Sequence, residues 1–148
     1  KKNTLVWEVP YAHGILKAVS YNKGGEVGTA TLESAGKVEK IRLSADRTEI
    51  VADGNDLSYI TLELVDSKGI RNQLAEELVA FSIEGDATIE GVGNANPMSI
   101  ESFVANSRKT WRGSNLLVVR SGKSSGRIIV TATVKALPVA SITITQKK

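Results

Sequence analysis

Short runs in which apolar and polar residues alternate one by one dominate this chain of 148 residues. In residues 58–64, for example, Ile60, Leu62 and Leu64 would share one face of a strand, because successive side chains point to opposite faces. No apolar stripe with the 3.6-residue period of a helix accompanies this pattern. The sequence therefore predicts an all-β protein built from short, half-buried strands.

Turn-forming residues separate the alternating runs. Clusters of Gly with Asp, Asn or Ser, which favour tight turns, lie at residues 53–56, 66–69, 84–86 and 121–123. Further strands are predicted at residues 79–83, 128–134 and 141–144, and an irregular loop at residues 91–97. Many short strands at such spacing are typical of a β-sandwich, which we expect over residues 37–148.

The first 36 residues predict three further strands, near residues 4–10, 15–22 and 26–33. Three strands have an apolar face that needs a second layer, and so short a segment cannot supply one. We therefore expect residues 1–36 to be the terminal strands of a second, truncated sandwich, with the junction near residues 35–37. Their open edges could also pair with a second copy of the chain.

Charge is distributed unevenly along the chain, although the net charge is only +3. Residues 37–101 carry six Lys or Arg and thirteen Asp or Glu, whereas residues 102–148 carry nine Lys or Arg and no acid. Neighbouring strands of one sandwich could pair these charges, or a basic face could dock on an acidic partner domain. No basic run interleaved with aromatic residues indicates a nucleic-acid partner.

Several kinds of site lack the residues they need. The chain has no cysteine, and its single histidine, His13, cannot form a multi-histidine metal site. Four residues that could suggest calcium, Asp46, Asp53, Asn55 and Asp56, do not have the spacing of a helix-flanked calcium loop and are better suited to capping turns. No run approaches the roughly 18 apolar residues of a membrane span. We therefore predict no metal ion, no cofactor and no membrane span.

Five residues are the best candidates for contact with a ligand or a neighbouring domain. The amides of Asn94 and Asn96 can bond turns or sugar hydroxyls. Asn106 and Arg108 could bond hydroxyls beside Trp111, on which a sugar ring could stack, although the indole could equally cover the edge of the sandwich. Both a carbohydrate contact and a domain contact stay open at these positions.

Two segments of the chain resemble parts of known bacterial enzymes. Residues 7–11 (Trp-Glu-Val-Pro-Tyr) and 14–18 (Gly-Ile-Leu-Lys-Ala) resemble the end of the immunoglobulin-like domain that follows the catalytic barrel in β-galactosidase-like glycoside hydrolases of family 2. Residues 41–121, which include Gly-Val-Gly-Asn at 91–94, resemble the C-terminal domain of the same enzymes and the immunoglobulin-like modules of invasin and intimin. His13 departs from the family, which more often has proline there.

The resemblance implies an immunoglobulin-like, invasin-like β-sandwich that is a non-catalytic accessory domain of a periplasmic or extracellular enzyme. Its partner would be the upstream catalytic domain of the same polypeptide, whose two catalytic glutamates have no counterpart in this chain. The domain would support the catalytic barrel or substrate access. Two alternatives stay open: a carbohydrate-binding module for an oligosaccharide or polysaccharide, and an adhesin-type spacer.

The adjacent acids Glu76 and Glu77 do not form a glycosidase pair. Glycoside hydrolysis needs two carboxyl groups about 5 to 9.5 Å apart across one cleft. Adjacent residues of a strand point to opposite faces, and adjacent residues of a loop would both face water. The sequence therefore predicts no catalytic residue in this chain.

Overall fold

The computed structural model describes residues 4–148, and their regular structure consists of β-strands. Contacts divide the chain into two compact units, one ending at Ser34 and the other spanning Ala35–Lys148. This division lies next to the junction expected at residues 35–37. Within the described part of the chain, no helix is long and apolar enough to cross a membrane. The all-β class predicted from the alternating runs is confirmed.

The first unit is a β-hairpin. β1 (Ile15–Asn22) and β2 (Gly25–Glu33) pair antiparallel, and Lys23 and Gly24 connect them with φ angles of 48° and 82°, as a type I′ turn requires. The strand expected near residues 4–10 was a wrong prediction, because those residues pair with no strand among residues 4–148. Alternation yields a strand only where a neighbour supplies backbone hydrogen bonds. That the hairpin ends a truncated sandwich stays a prediction.

The second unit contains two sheets. Its strands are β3 (Lys40–Ala45), β4 (Glu49–Val51), β5 (Leu57–Val65), β6 (Leu78–Glu84), β7 (Ala87–Gly93), β8 (Ser107–Lys109), β9 (Ser114–Ser121), β10 (Gly126–Val134) and β11 (Ala140–Lys147). One sheet has the order β4-β11-β10-β6-β8, and the other has the order β3-β5-β9-β7. β4 pairs parallel with β11, whereas the other paired strands are antiparallel.

The core of the second unit draws on both sheets. β5 contributes Ile60, Leu62 and Leu64, which are fully buried, as their alternation predicted. The other large contributors are Val79, Phe81, Val92, Leu117, Val119, Ile128, Val130, Val134 and Ile144. Each such side chain stabilises the fold by about 2 kcal/mol when it leaves water. The predicted β-sandwich is therefore confirmed.

Ion pairs between neighbouring strands balance part of the uneven charge. Arg120 on β9 bonds Glu90 on β7 at 2.6 Å, and Lys147 on β11 bonds Glu49 on β4 at 2.7 Å. Both pairs join the basic half of the chain to its acidic half, as cross-strand pairing predicted. Because these groups are partly exposed, solvent screens the attraction and the pairs contribute little to stability.

The sandwich fixes the backbone of Gly36, close to the division between the units. The Gly36 amide donates to Asp66 Oδ2 at 2.8 Å, and its carbonyl accepts from Asn72 Nδ2 at 2.9 Å. Asp66 Oδ1 also accepts from the amides of Lys68 and Ile70. These amide donors, Gly36 foremost, lower the pKa of the Asp66 carboxyl because they stabilise its charged form. Residue 36 is therefore held by the second unit.

Candidate functional site

The candidate site lies where the chain crosses from one sheet to the other. β7 is the edge strand of one sheet and β8 is the edge strand of the other. Residues 94–106, which we call the crossover loop, connect these two strands. Gly91 and Gly93 were expected in a loop but belong to the end of β7. The irregular segment therefore begins at Asn94.

Gly91 lets the crossover loop lie directly against β7. A Cβ atom at position 91 would be 3.1 Å from the carbonyl oxygen of Phe103, which is closer than side chains normally pack. The same oxygen accepts the amide of Val92 at 2.7 Å. A side chain at position 91 would therefore push against this hydrogen bond. Close backbone approach explains the first glycine of the Gly-Val-Gly-Asn segment.

Asn94 and Asn96 shape the crossover loop from within. Asn94 is buried, and its Nδ2 donates to the carbonyl of Lys109 at 2.9 Å while its Oδ1 accepts the amide of Asn96 at 3.1 Å. Asn96 Oδ1 in turn accepts the amide of Met98 at 3.0 Å. The fold therefore uses both polar atoms of the Asn94 amide and the oxygen of the Asn96 amide. The Nδ2 group of the half-buried Asn96 has no hydrogen-bond partner within residues 4–148.

Glu101 ties the crossover loop to β8. Its Oε1 accepts the amide of Lys109 at 3.0 Å, and its Oε2 accepts from Ser99 Oγ at 3.0 Å. The hydrogen bond from the Lys109 amide is the main cause that lowers the pKa of the Glu101 carboxyl, and the nearby charges of Arg108 and Lys109 add to it. This carboxylate therefore stays ionised and acts as a fixed acceptor.

Arg108 is fully buried, at 0% exposure, between the two edge strands. Its Nη1 donates to the carbonyls of Val92 at 3.3 Å and Glu101 at 3.0 Å. Its guanidinium carbon lies 4.1 Å from the centroid of the Phe103 ring, a distance typical of a cation–π contact. Asn115 Nδ2 donates to the Arg108 carbonyl at 3.0 Å.

The position of Arg108 corrects its expected role as a sugar contact. The side chain points inward from β8, whereas those of the flanking residues, Ser107 and Lys109, are more exposed. Its Nη1 bonds internal carbonyls, while its Nε and Nη2 have no hydrogen-bond partner in the described structure. A ligand at the surface would therefore not reach this guanidinium. Successive side chains of a strand point to opposite faces even in this three-residue strand, so the Arg108 side chain points inward while its two neighbours point outward.

Trp111 opens the tight turn that leads into β9. Trp111 and Ser114 exchange two backbone hydrogen bonds of 3.1 Å, and Arg112 and Gly113 between them have φ angles of 51° and 71°. Positive φ at both central positions is typical of a type I′ turn. Trp111 is half-buried, and the Arg112 guanidinium carbon lies 5.8 Å from the centroid of its ring.

Three of the five predicted site residues line one shallow depression of about 330 Å³: Asn94, Asn96 and Trp111. Asn106 and Arg108 are not among the residues that line it. Asn106 is exposed, and its carbonyl accepts the amide of Phe81 at 2.8 Å. The depression therefore joins the two amides and the indole, as a carbohydrate contact would require, but without the predicted guanidinium.

Sequence reasoning missed further polar residues of the depression. Glu76, Ser99, Glu101 and Lys109 also line it. Glu76 comes from the segment before β6, and no local pattern relates it to residues 94–111. The one available signal was the nearness of Ser99 and Glu101 to Asn96 in the sequence.

Comparison with known proteins places the chain in one family and relates it to longer proteins. The family model for glycoside hydrolase family 2 C-terminal domain 5 matches residues 41–143. The β-galactosidase BoGH2A of Bacteroides ovatus is 35% identical over 144 residues, which cover 97% of this chain and 17% of that protein. The crystal structure of a family 2 glycosyl hydrolase from Bacteroides cellulosilyticus is 99% identical with a TM-score of 0.95, and the match covers 99% of this chain and 19% of that one.

The D00-D0 domain of intimin shares the fold. It matches with a TM-score of 0.54 at 19% identity, over 93% of this chain and 66% of that one. This likeness confirms the expected immunoglobulin-like, invasin-like sandwich. The chain spans less than a fifth of the length of the two longer relatives. The chain belongs to the family described as glycoside hydrolase family 2 C-terminal domain 5, as its resemblance to the C-terminal part of such enzymes predicted.

Proposed function

We propose that this chain is a non-catalytic accessory domain that supports the catalytic barrel or substrate access of a β-galactosidase-like enzyme. The observation that carries the proposal is membership of a C-terminal domain family together with a match to 17% of the length of a β-galactosidase. The remaining length of such a protein would supply the catalytic groups and the partner surface. Family membership favours this role over an adhesin-type spacer.

The carboxylates of the candidate site support a non-catalytic role. Glu76 and Glu101 line the same depression, but the pKa of Glu101 is lowered, whereas a general acid in glycoside hydrolysis needs a raised pKa. Glu77 lines a different depression from its neighbour Glu76. Adjacent acids on separate surfaces cannot act on one glycosidic bond.

Deleting the segment that corresponds to residues 35–148 from the B. cellulosilyticus protein is expected to lower its thermal unfolding midpoint. The cause is loss of domain contacts, and each kcal/mol of lost interaction shifts a midpoint by about 2 to 4 °C in domains of 150 to 250 residues. Scanning calorimetry measures the shift. The isolated chain, assayed with a chromogenic β-galactoside, is expected to give no turnover above a protein-free blank. Hydrolysis by the isolated chain, or an unchanged midpoint after deletion, would contradict the proposal.

Carbohydrate contact is a second candidate function, favoured by the depression that joins Asn94, Asn96 and Trp111. An indole beside polar groups suits a sugar ring, because its face packs on C–H groups while amides bond the hydroxyls. The Nδ2 group of Asn96 is the donor best placed to serve here, since the fold uses its Oδ1 but not its Nδ2.

Titration of the chain with galacto-oligosaccharides is expected to give saturable heat if this second function holds. Trp111→Ala should weaken binding about two- to tenfold, since loss of a stacking platform removes roughly 0.5 to 1.5 kcal/mol. Trp7→Ala is the matched control, because Trp7 is an exposed tryptophan of the first unit. Equal loss in both variants, or no heat with any sugar, would remove carbohydrate binding as a function of this depression.

A further inference from the structure

The crossover loop presents a group of apolar side chains to solvent. Met98 is 84% exposed, Ile100 100%, Phe103 62% and Val104 80%. We call these four residues the loop patch. Apart from the contact between Phe103 and Arg108, they lie outside the buried core. Apolar side chains grouped in this way on a folded surface mark interaction sites more often than isolated ones do.

The backbone beneath the loop patch is tightly held, although its side chains are exposed. Asn94, Asn96 and Glu101 accept or donate hydrogen bonds along the loop, and the Arg108 guanidinium bonds the Glu101 carbonyl from inside. The Phe103 carbonyl accepts the Val92 amide at 2.7 Å. A loop ordered in this way loses little conformational entropy when a partner covers it. The loop patch is therefore preorganised.

Charges of both signs border the loop patch on the side of the depression. Met98 and Ile100 line the depression together with Lys109 and Trp111. Glu76 and Glu101 line the same depression, and the charge of Lys109 lies near the Glu101 carboxylate, while the Arg112 guanidinium lies over the Trp111 ring. A partner surface with an apolar centre and both acidic and basic groups at its edge would complement this arrangement.

We propose that the loop patch docks on an apolar surface, bordered by charged groups of both signs, of another domain in the same longer polypeptide. The inference rests on the proposed accessory function and names the surface through which it acts. The occupant would come from the rest of the longer polypeptide. This chain covers only 19% of a crystallised protein that is 99% identical to it, so about four fifths of that protein lie outside the matched segment.

Oxidation of Met98 measures whether the patch is covered, because Met98 is the only methionine of the chain. The rate of sulfoxide formation with hydrogen peroxide is compared by peptide mass spectrometry in two proteins. One is the isolated chain, and the other is the B. cellulosilyticus protein carrying this chain in place of its matching segment. We expect Met98 to be oxidised at least about tenfold more slowly in the longer protein.

Variants in the longer protein test which residues make the contact. Ile100→Glu is expected to restore fast oxidation of Met98, since it places a charge in the docked surface. In the isolated chain its side chain is fully exposed, so folding should not change. Val139→Glu, at an exposed apolar position outside the patch, is the matched control and should leave Met98 protected.

The outcomes separate this inference from the proposed function. Equal oxidation of Met98 in both proteins would overturn docking through the patch, even if deletion of residues 35–148 still lowered the unfolding midpoint of the longer protein. Protection of Met98 in the isolated chain that grows with its concentration would identify a second copy as the occupant and would also overturn the proposal. Protection in the longer protein that Ile100→Glu removes and Val139→Glu keeps would support it.

Discussion

Replacing Gly113 by alanine is expected to lower the free energy of unfolding of residues 35–148 by about 2 to 5 kcal/mol. Gly113 has a φ angle of 71°, at which an L-residue costs about 1 to 2 kcal/mol. A Cβ atom there would also overlap the carbonyl group of Asn72. The backbone cannot easily shift, because the Gly113 amide donates to Ala75 at 3.0 Å and its carbonyl accepts from Leu64 at 2.9 Å.

Variants at two other glycines distinguish the cost of the positive φ angle from the cost of the steric overlap. Urea unfolding followed by circular dichroism would measure the free energy of unfolding of each variant. Gly54 has a φ angle of 81° but meets only the flexible side chain of Lys123, so Gly54→Ala should cost only the conformational part, about 1 to 2 kcal/mol. Gly126 has nothing within 4 Å, and Gly126→Ala should change stability by less than about 0.5 kcal/mol. A loss at Gly113 no larger than that at Gly54 would show that the Asn72 carbonyl is not a constraint.

Arg108→Ala is expected to destabilise the second unit by about 3 to 5 kcal/mol, since it removes a large buried side chain with internal hydrogen bonds. The carbonyls of Val92 and Glu101 would lose a donor, and Phe103 would lose the cation beneath its ring. Because these contacts hold the crossover loop, the amide of Lys109 should also exchange with solvent deuterium faster. Urea unfolding and hydrogen exchange measure the two effects.

Arg108→Met tests whether volume or charge matters more at this position. Methionine keeps most of the stem but removes a buried cation whose Nε and Nη2 lack partners, so its cost should be smaller than that of alanine. Arg120→Ala, at an exposed ion pair, is the control and should change the free energy of unfolding by less than about 1 kcal/mol. If Arg108→Ala lowers the free energy of unfolding no more than Arg120→Ala does, the buried guanidinium does not stabilise the fold around the crossover loop.

Alternation predicted the strands that build the core, because it reports directly which side chains leave water. Ile60, Leu62 and Leu64 repeat every second residue, and all three are buried in β5. The same pattern misled at residues 4–10, where a strand was expected but no partner strand is present among the described residues. Pairing depends on residues that are distant along the chain, and a local pattern carries no information about them.

The candidate site was only partly predictable. Asn94, Asn96 and Trp111 line one depression, as their types suggested, because polar amides and an indole near a strand end are common at surfaces. Arg108 was misplaced because arginine is seldom fully buried, and the basic segment around it resembles an exposed face. The Arg108 side chain points inward because of its position in β8. A strand of three residues is too short for an alternating pattern to be recognised in the sequence.

The position of β11 has a consequence for synthesis on the ribosome. β11 (Ala140–Lys147) lies between β10 and β4, and its parallel partner β4 (Glu49–Val51) is made almost a hundred residues earlier. The larger sheet cannot be completed until residue 147 has left the exit tunnel. β4 therefore lacks its neighbouring strand while most of the second unit is translated. At about 5 to 20 residues per second, that interval lasts roughly 5 to 20 seconds. Once β6 has emerged, its apolar face is open to chaperones and to neighbouring nascent chains for the rest of this interval.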